Sequence, residues 1–173
     1  MYLSLLSFTE SIFFPIPPDV MLAPMALGEP NKAYRYAMYT SLASVAGGTV
    51  GYFLGYALFE PVVQPAIDSF GYQAKFDTIS QWFADWGIWV VFIAGFSPIP
   101  YKLFTVTAGV LQMAFIPFII ASAISRSLRF YLVAGLMKWG GAPMEEKLRL
   151  YVDRIGWGVV IIAIVGYLVY KLT

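Results

Sequence analysis

The chain has 173 residues, of which 60% are hydrophobic and only 12% are charged, and its formal net charge is +1. Soluble domains carry about twice that charged fraction, so the composition indicates an integral membrane protein that forms one domain with a few spans. The near-neutral charge argues against a nucleic-acid partner, because no basic surface is available for phosphates. Cysteine and histidine are both absent, which excludes disulfides and the usual zinc, copper and haem ligands, so we expect no metal and no cofactor.

The first apolar segment, residues 1–27, is interrupted by four prolines. A straight transmembrane helix needs roughly 20 consecutive apolar residues, and a proline breaks a helix because it removes a backbone donor. In hydrocarbon, the unpaired backbone groups of such a break survive only inside protein or beside a wet cavity. We therefore predict that residues 1–27 form a re-entrant hairpin, which enters and leaves the membrane on one side.

The next two segments are a helix that spans the membrane and a helix that lies on it. Residues 36–59 contain no charged side chain and are predicted to form a transmembrane helix. Within it, Gly47, Gly51 and Gly55 recur at a spacing that lets another helix pack closely. Residues 61–85 are more polar, and their apolar side chains recur at helical spacing, as expected of an amphipathic helix in the membrane interface.

The second half of the chain repeats this order of segments. Residues 86–111 carry no charge except Lys102 and contain a second proline-broken sequence, Ser97-Pro98-Ile99-Pro100, so they are predicted to form a second re-entrant hairpin. Residues 115–137 are predicted to form a transmembrane helix, residues 143–154 an interfacial helix, and residues 155–172 a final transmembrane helix.

The two halves are related by sequence as well as by order. Pro15-Ile16-Pro17 in the first half matches Pro98-Ile99-Pro100 in the second. A hairpin keeps the chain on one side of the membrane and the single helix after it changes sides, so the two halves have opposite orientations. We therefore predict an all-α integral membrane protein. It is an inverted repeat of re-entrant hairpin, transmembrane helix and interfacial amphipathic helix, followed by a C-terminal transmembrane helix. Paired broken segments of this kind indicate a transport site.

The basic residues outside the spans indicate how the chain is oriented. On this topology Lys32, Arg35, Lys138, Lys147, Arg149 and Arg154 lie on one face, and Lys75 and Lys171 lie on the other. Because cytoplasmic loops are enriched in lysine and arginine, the first face is predicted to be cytoplasmic.

Five ionisable residues are predicted to lie at membrane depth: Glu10, Asp19, Lys102, Arg126 and Arg129. Even mild insertion scales put the cost of a charge there at about 2.5–3.5 kcal/mol, so these side chains should pair or line a wet cavity. The three bases and the hydroxyl groups of Tyr101, Thr105 and Ser125 describe a binding site for a phosphate or a carboxylate. Glu10 and Asp19 could hold the bases when the site is empty or carry a proton during transport.

A static role has to be weighed against this functional one. Asp19 and Lys102 could form a buried ion pair that locks the two hairpins together without any ligand. Arg126 and Arg129 are harder to explain in this way. They are three residues apart on one helical face, and they repel each other unless an anion or both acids join them. We therefore expect the arginine pair to be functional.

Four motifs follow one another along residues 8–136. They are Glu10-x4-Pro15-x-Pro17-Pro18-Asp19, Gly47-x3-Gly51-Tyr52, Phe96-Ser97-Pro98-Ile99-Pro100-Tyr101-Lys102 and Ser125-Arg126-x2-Arg129-Phe130. Their order and spacing resemble the DedA family, the bacterial branch of the DedA/VTT superfamily of small membrane proteins. Within that family the chain is most similar to the shorter YqaA-like branch.

This resemblance implies two opposed re-entrant hairpins and a role in moving lipids, such as undecaprenyl phosphate or phospholipids, across the membrane. It also implies a dependence on the proton-motive force and a place in the cytoplasmic (inner) membrane. Carried over by position, it assigns Glu10 and Asp19 to the acidic pair of the family's first hairpin.

Four functional hypotheses remain open on the sequence. The first is a flippase or scramblase that binds the phosphate head group of a membrane lipid among Lys102, Arg126 and Arg129. The second is a proton- or cation-coupled transporter of a small solute, in which Glu10 and Asp19 act and a homo-oligomer supplies the spans that one chain lacks. The third, a lipid phosphatase, is disfavoured because such enzymes commonly use histidine, so we expect no enzyme. The fourth is a structural or assembly factor.

Overall fold

The computed structural model describes residues 2–13, 16–96 and 100–141, together with single positions further along (143, 147, 154, 157, 158, 161, 162 and 165). Apart from those single positions, the predicted interfacial helix 143–154 and the predicted C-terminal helix 155–172 lie outside the described residues. In the part of the chain that is described, the regular elements are helices. The predicted all-α fold is therefore confirmed.

Seven α-helices make up the described ranges. They are α1 (Tyr2–Glu10), α2 (Asp19–Gly28), α3 (Ala33–Leu58), α4 (Gln64–Phe70), α5 (Gln73–Phe96), α6 (Tyr101–Val110) and α7 (Phe115–Gly140). A 3-10 turn precedes α3, and a π-helical stretch, Phe59–Val63, joins α3 to α4. Among the described residues, three helical stretches are long and apolar enough to cross a membrane: Pro30–Phe70, Phe76–Phe96 and Phe115–Gly140.

The helix α3 covers the segment predicted as 36–59 up to Leu58, and α7 covers the segment predicted as 115–137. The middle of the chain is divided differently from the prediction. The predicted interfacial helix 61–85 is two elements, because Gly71 adopts a left-handed conformation (φ +65°) that ends α4. No proline interrupts the chain from Gln73 to Phe96, so α5 runs without a break through residue 86, where the second hairpin was expected to begin.

The packing of the helices follows the internal repeat. The arms of the first hairpin, α1 and α2, pack mainly on α3 and α7 respectively, and the arms of the second hairpin pack in the reverse sense, α5 on α7 and α6 on α3. Each long helix therefore holds one arm of each hairpin. This exchange is what an internal repeat of hairpin and helix produces. The re-entrance of the hairpins and the opposite orientation of the two halves stay predictions.

Glycine allows α3 and α6 to approach until their backbones touch. A Cβ atom built on Gly55 would collide with the carbonyl oxygen of Val106, and one built on Gly109 would collide with the carbonyl oxygen of Tyr52. The close packing predicted for the glycines of α3 is confirmed, since a Cβ atom on Gly47 would likewise collide with the backbone of α1.

We expect Gly109→Ala to lower the free energy of unfolding by about 1–3 kcal/mol, because the added methyl group forces two backbones apart. The matched control is Gly28→Ala, whose Cβ would meet nothing within 4 Å and which should be neutral or slightly stabilising. Denaturant unfolding of the purified protein in detergent micelles measures both. Equal stability of the two variants would show that α3 and α6 do not pack as described.

Candidate functional site

The structure brings together four of the five ionisable residues that the sequence placed at membrane depth. Glu10 is the last residue of α1 and Asp19 the first residue of α2, so the two arms of the first hairpin each present one carboxylate. Arg126 and Arg129 lie one turn apart in α7 and face these carboxylates. The result is a row of two ion pairs between the first hairpin and α7.

Arg126 is the most enclosed of the four, with a side chain only 4% exposed. Its Nη2 atom lies 3.0 Å from Oε2 of Glu10, and its Nε donates a hydrogen bond of 2.7 Å to Oγ of Ser44 in α3. The guanidinium group lies 4.7 Å from the ring centres of both Tyr101 and Phe130, where cation–π attraction supports it. The first hairpin, α3, α6 and its own helix α7 thus hold this cation in one orientation.

Arg129 forms the second ion pair. Its Nη2 atom lies 2.6 Å from Oδ2 of Asp19, with the two side chains 11% and 15% exposed. Its Nη1 atom donates a longer hydrogen bond, of 3.4 Å, to the carbonyl oxygen of Phe96 at the end of α5. Arg129 therefore connects both hairpins. The two arginines can lie side by side because each is paired with its own acid. From the sequence we expected either both acids or a bound anion to offset their repulsion.

The sequence raised the possibility of a buried ion pair between Asp19 and Lys102. In the described residues Asp19 instead forms its ion pair with Arg129. Lys102 instead extends to the turn of the first hairpin, where its Nζ donates a hydrogen bond of 3.1 Å to the carbonyl oxygen of Phe13. Hydropathy locates a charge along a helix but does not give the rotation of that helix, so the partner could not be chosen from the sequence.

The three hydroxyl residues proposed for the site are all buried, but they differ in what they contact. The ring of Tyr101 lies against the Arg126 guanidinium. Thr105 donates to the carbonyl oxygen of Lys102 at 3.0 Å, and Ser125 donates to that of Ser122 at 3.3 Å, so both hydroxyl groups bond within their own helix. Tyr101 is therefore the one of the three that touches the arginines. A role for the other two in binding a ligand stays a prediction.

Two serines that were not predicted from the sequence complete the surroundings of Arg126. Ser11 and Ser44 are fully buried, and their Oγ atoms lie 2.9 Å apart. Ser11 also donates to the carbonyl oxygen of Ser7 at 3.0 Å. The spacing of Ser44 could have identified it from the sequence. It lies four residues before Gly48, so it shares a face of α3 with the buried small residue Gly48.

We expect Ser44→Ala to lower the free energy of unfolding by about 1–3 kcal/mol, because it leaves the buried Nε of Arg126 without its acceptor. Thr49→Ala is the matched control, since Thr49 is only half-buried and bonds to Val45 of its own helix at 2.8 Å. Its loss should be within about 0.5 kcal/mol. Denaturant unfolding in micelles compares the two, and similar values for both would mean that Ser44 does not hold Arg126.

Acidic side chains do not gather into a metal site in the described part of the chain: no group of three or more Asp and Glu residues is placed to hold an ion there. The charged groups that do meet are acids with bases. Such an arrangement can bind an anion when a carboxylate is displaced, because the guanidinium donors are already oriented toward the acceptor.

Comparisons with known proteins place this site in context. A family model described as the VTT domain matches residues 14–139, a range that includes Asp19, Arg126 and Arg129. An uncharacterized protein of Haemophilus influenzae is 50% identical over 170 residues, which cover 98% of this chain and 88% of the relative. A homologous protein of Histophilus somni is 55% identical over the same shares.

A more distant relative carries a functional name. It is the undecaprenyl phosphate transporter A of Staphylococcus aureus, 27% identical over 135 residues that cover 73% of this chain and 66% of the relative. No solved structure matches the chain.

Proposed function

The chain belongs to the VTT domain (DedA) family, and from this premise we propose that it moves a lipid with a phosphate head group across the cytoplasmic membrane. Its described residues contain three helical stretches that are long and apolar enough to cross a membrane, so it is a multi-pass membrane protein. The name of the Staphylococcus aureus relative supports a lipid phosphate as cargo, and undecaprenyl phosphate or a phospholipid would suit the site. The proposed activity is transport, as a flippase or scramblase, rather than catalysis.

The observation that carries the proposal is the arginine pair of α7. Arg126 and Arg129 are largely buried beside each other, and each is neutralised by one acid of the first hairpin. A phosphate offers several acceptor oxygens, and two guanidinium groups can bind it through bidentate hydrogen bonds. We suggest that Glu10 and Asp19 occupy the arginines while the site is empty and that the head group takes their place.

Displacing the carboxylates has a consequence for protons. An unpaired carboxylate is costly inside a membrane protein, so an acid that loses its arginine is stable only if it takes up a proton. Asp19 illustrates this cost, because its second oxygen, Oδ1, is buried and has no hydrogen-bond partner in the described residues. Binding of a phosphate head group would then be coupled to protonation of the first hairpin.

A small protein can move such a lipid, because it has to shield only the head group. Only the head group has to leave its leaflet, while the tail stays in hydrocarbon. A sealed cavity of the kind that solute carriers build from many spans is therefore not required. This fits a chain whose described residues contain three helical stretches long enough to cross the membrane.

The experiment that tests the proposal is lipid flip in reconstituted liposomes. A fluorescent phospholipid or a labelled polyprenyl phosphate is placed in both leaflets, and the outer leaflet is quenched chemically, with and without a pH gradient. We expect the protein to accelerate the movement of phosphate-bearing lipids and not that of the corresponding polyprenol. If no lipid moves faster than in protein-free liposomes under any gradient, a solute transporter or an assembly factor becomes the better interpretation.

A further inference from the structure

Two buried hydroxyl groups beside the ion pairs have no hydrogen-bond partner in the described part of the chain. They belong to Tyr101 in α6 and Ser122 in α7, which are 1% and 0% exposed. A buried O–H group without an acceptor destabilises the folded state, so native proteins rarely keep one unless something else binds to it. These two groups therefore indicate an acceptor that the described chain does not supply.

Both hydroxyl groups lie next to Arg126. The ring of Tyr101 lies 4.7 Å from the Arg126 guanidinium. Ser122 precedes Arg126 by four residues in α7, which puts the two side chains on one face of that helix. The charged groups that act on the Tyr101 hydroxyl are those of Arg126 and Glu10. An acceptor for these hydroxyl groups would therefore lie beside the ion pair of Arg126 and Glu10.

The neighbouring residues do not provide this acceptor. The two hydroxyl groups are close to each other, but one hydrogen bond between them would use only one of their two protons. On the α3 side, the oxygen of Tyr101 faces Gly48, where a Cβ atom would lie only 3.1 Å away and no side chain can accept a proton. Thr105 and Ser125 differ from these two residues, because each donates to a carbonyl oxygen of its own helix.

We infer that Tyr101 and Ser122 donate hydrogen bonds to the bound head group and make the site selective for phosphate over carboxylate. This inference rests on the proposed function and adds residues that determine its specificity. A carboxylate has two oxygens in one plane, which a guanidinium group satisfies by itself. A terminal phosphate has a third acceptor oxygen outside that plane. Hydroxyl groups suit this oxygen, because they add donors to the site without adding charge.

The stability of the empty protein gives the first part of the test. Tyr101→Phe and Ser122→Ala each remove one hydroxyl group, and the phenyl ring keeps the contact with Arg126. Because neither hydroxyl has a partner in the empty protein, we expect thermal midpoints in detergent micelles equal to or above that of the wild type. Tyr52→Phe is the matched control. The buried Tyr52 donates to the carbonyl oxygen of Met113, so its midpoint should fall.

The affinity for lipids gives the second part. Binding of short-chain phosphatidic acid and of a fatty acid of the same chain length is measured in the same micelles, at a pH where both head groups are ionised. We expect Tyr101→Phe and Ser122→Ala each to weaken binding of phosphatidic acid about twofold to tenfold, as the loss of one neutral hydrogen bond would. Their affinity for the fatty acid should stay at the wild-type value.

Two controls should bind phosphatidic acid as the wild type does. They are Tyr52→Phe and Ser41→Ala, the second of which removes a buried hydroxyl that donates to the carbonyl oxygen of Ala37 within α3 at 2.8 Å. Wild-type affinity in both Tyr101→Phe and Ser122→Ala would overturn the inference, since only water would then bind to these hydroxyl groups. An equal loss of affinity for phosphatidic acid and fatty acid would also overturn it, because that result reflects a displaced arginine.

These outcomes are separate from those of the transport assay. If the wild type flips phosphate-bearing lipids while both hydroxyl variants bind them normally, the inference is wrong and the proposed function stands. If the hydroxyl variants lose affinity for phosphatidic acid alone and the wild type flips no lipid, the selective phosphate site stands and the transporter does not. If the wild type does not bind phosphatidic acid at all, the inference is wrong.

Discussion

Arg126→Gln is expected to lower the free energy of unfolding by about 3–5 kcal/mol, the largest effect on stability that the structure predicts. The substitution leaves Glu10 as an unpaired charge with a side chain only 13% exposed. It also removes the donor to Ser44 and the cation that lies against Tyr101 and Phe130. Denaturant unfolding in detergent micelles measures the loss.

A double-mutant cycle separates the ion pair from these other contacts. Glu10→Gln alone should also be strongly destabilising, and combining it with Arg126→Gln should recover about 0.5–3 kcal/mol relative to the sum, because no unpaired charge is then left. Arg35→Gln is the matched control on an exposed arginine of α3, with an expected change within about 0.5 kcal/mol. If Arg126→Gln is no more destabilising than Arg35→Gln, the pair with Glu10 does not exist in the folded protein.

The second large effect is on transport. We expect the double variant Asp19→Asn/Arg129→Gln to flip phosphate-bearing lipids about 10–150-fold more slowly than the wild type, the factor that one charge-assisted hydrogen bond supports. Both charges are removed together, so no unpaired charge is left to unfold the protein. The variant should therefore keep a thermal midpoint close to that of the wild type.

The control for this variant neutralises a different ion pair. Glu29 and Lys32 lie 2.9 Å apart at the surface, with side chains 50% and 53% exposed, and Glu29→Gln/Lys32→Gln should leave both flip and stability unchanged. A wild-type flip rate in Asp19→Asn/Arg129→Gln would mean that the buried pair only holds the first hairpin to α7.

The long helices, and the charged residues that meet in the two ion pairs, could be predicted from the sequence because both depend on local patterns. Long apolar runs predict α3 and α7, and the cost of a charge in hydrocarbon singles out Arg126 and Arg129 within α7. The partner of each arginine depends on how α7 is rotated against the first hairpin, more than 100 residues away in sequence. No local pattern determines that rotation. The sequence therefore allows an ion pair between Asp19 and Lys102, whereas the structure pairs Asp19 with Arg129.

The division of the middle segment shows a second limit. The polar residues before Trp86 suggested an interfacial helix that ends there, although the stronger breaker is Gly71, where the chain turns through a left-handed conformation. A helix continues through a change from polar to apolar residues as long as its backbone hydrogen bonds are intact, so α5 combines both parts. Ser44 was passed over for a related reason, since serine within an apolar helix is ordinary until an arginine is known to face it.

The most direct test of the account is whether the arginine pair binds a phosphate head group. Thermal unfolding in detergent micelles is followed while short-chain phosphatidic acid or the corresponding diacylglycerol is added to the wild type and to Asp19→Asn/Arg129→Gln. We predict that only phosphatidic acid stabilises, and only the wild type, by about 2.7 kcal/mol at a hundredfold excess over its dissociation constant. Equal stabilisation by diacylglycerol, or of the double variant, would contradict a phosphate site at Arg126 and Arg129.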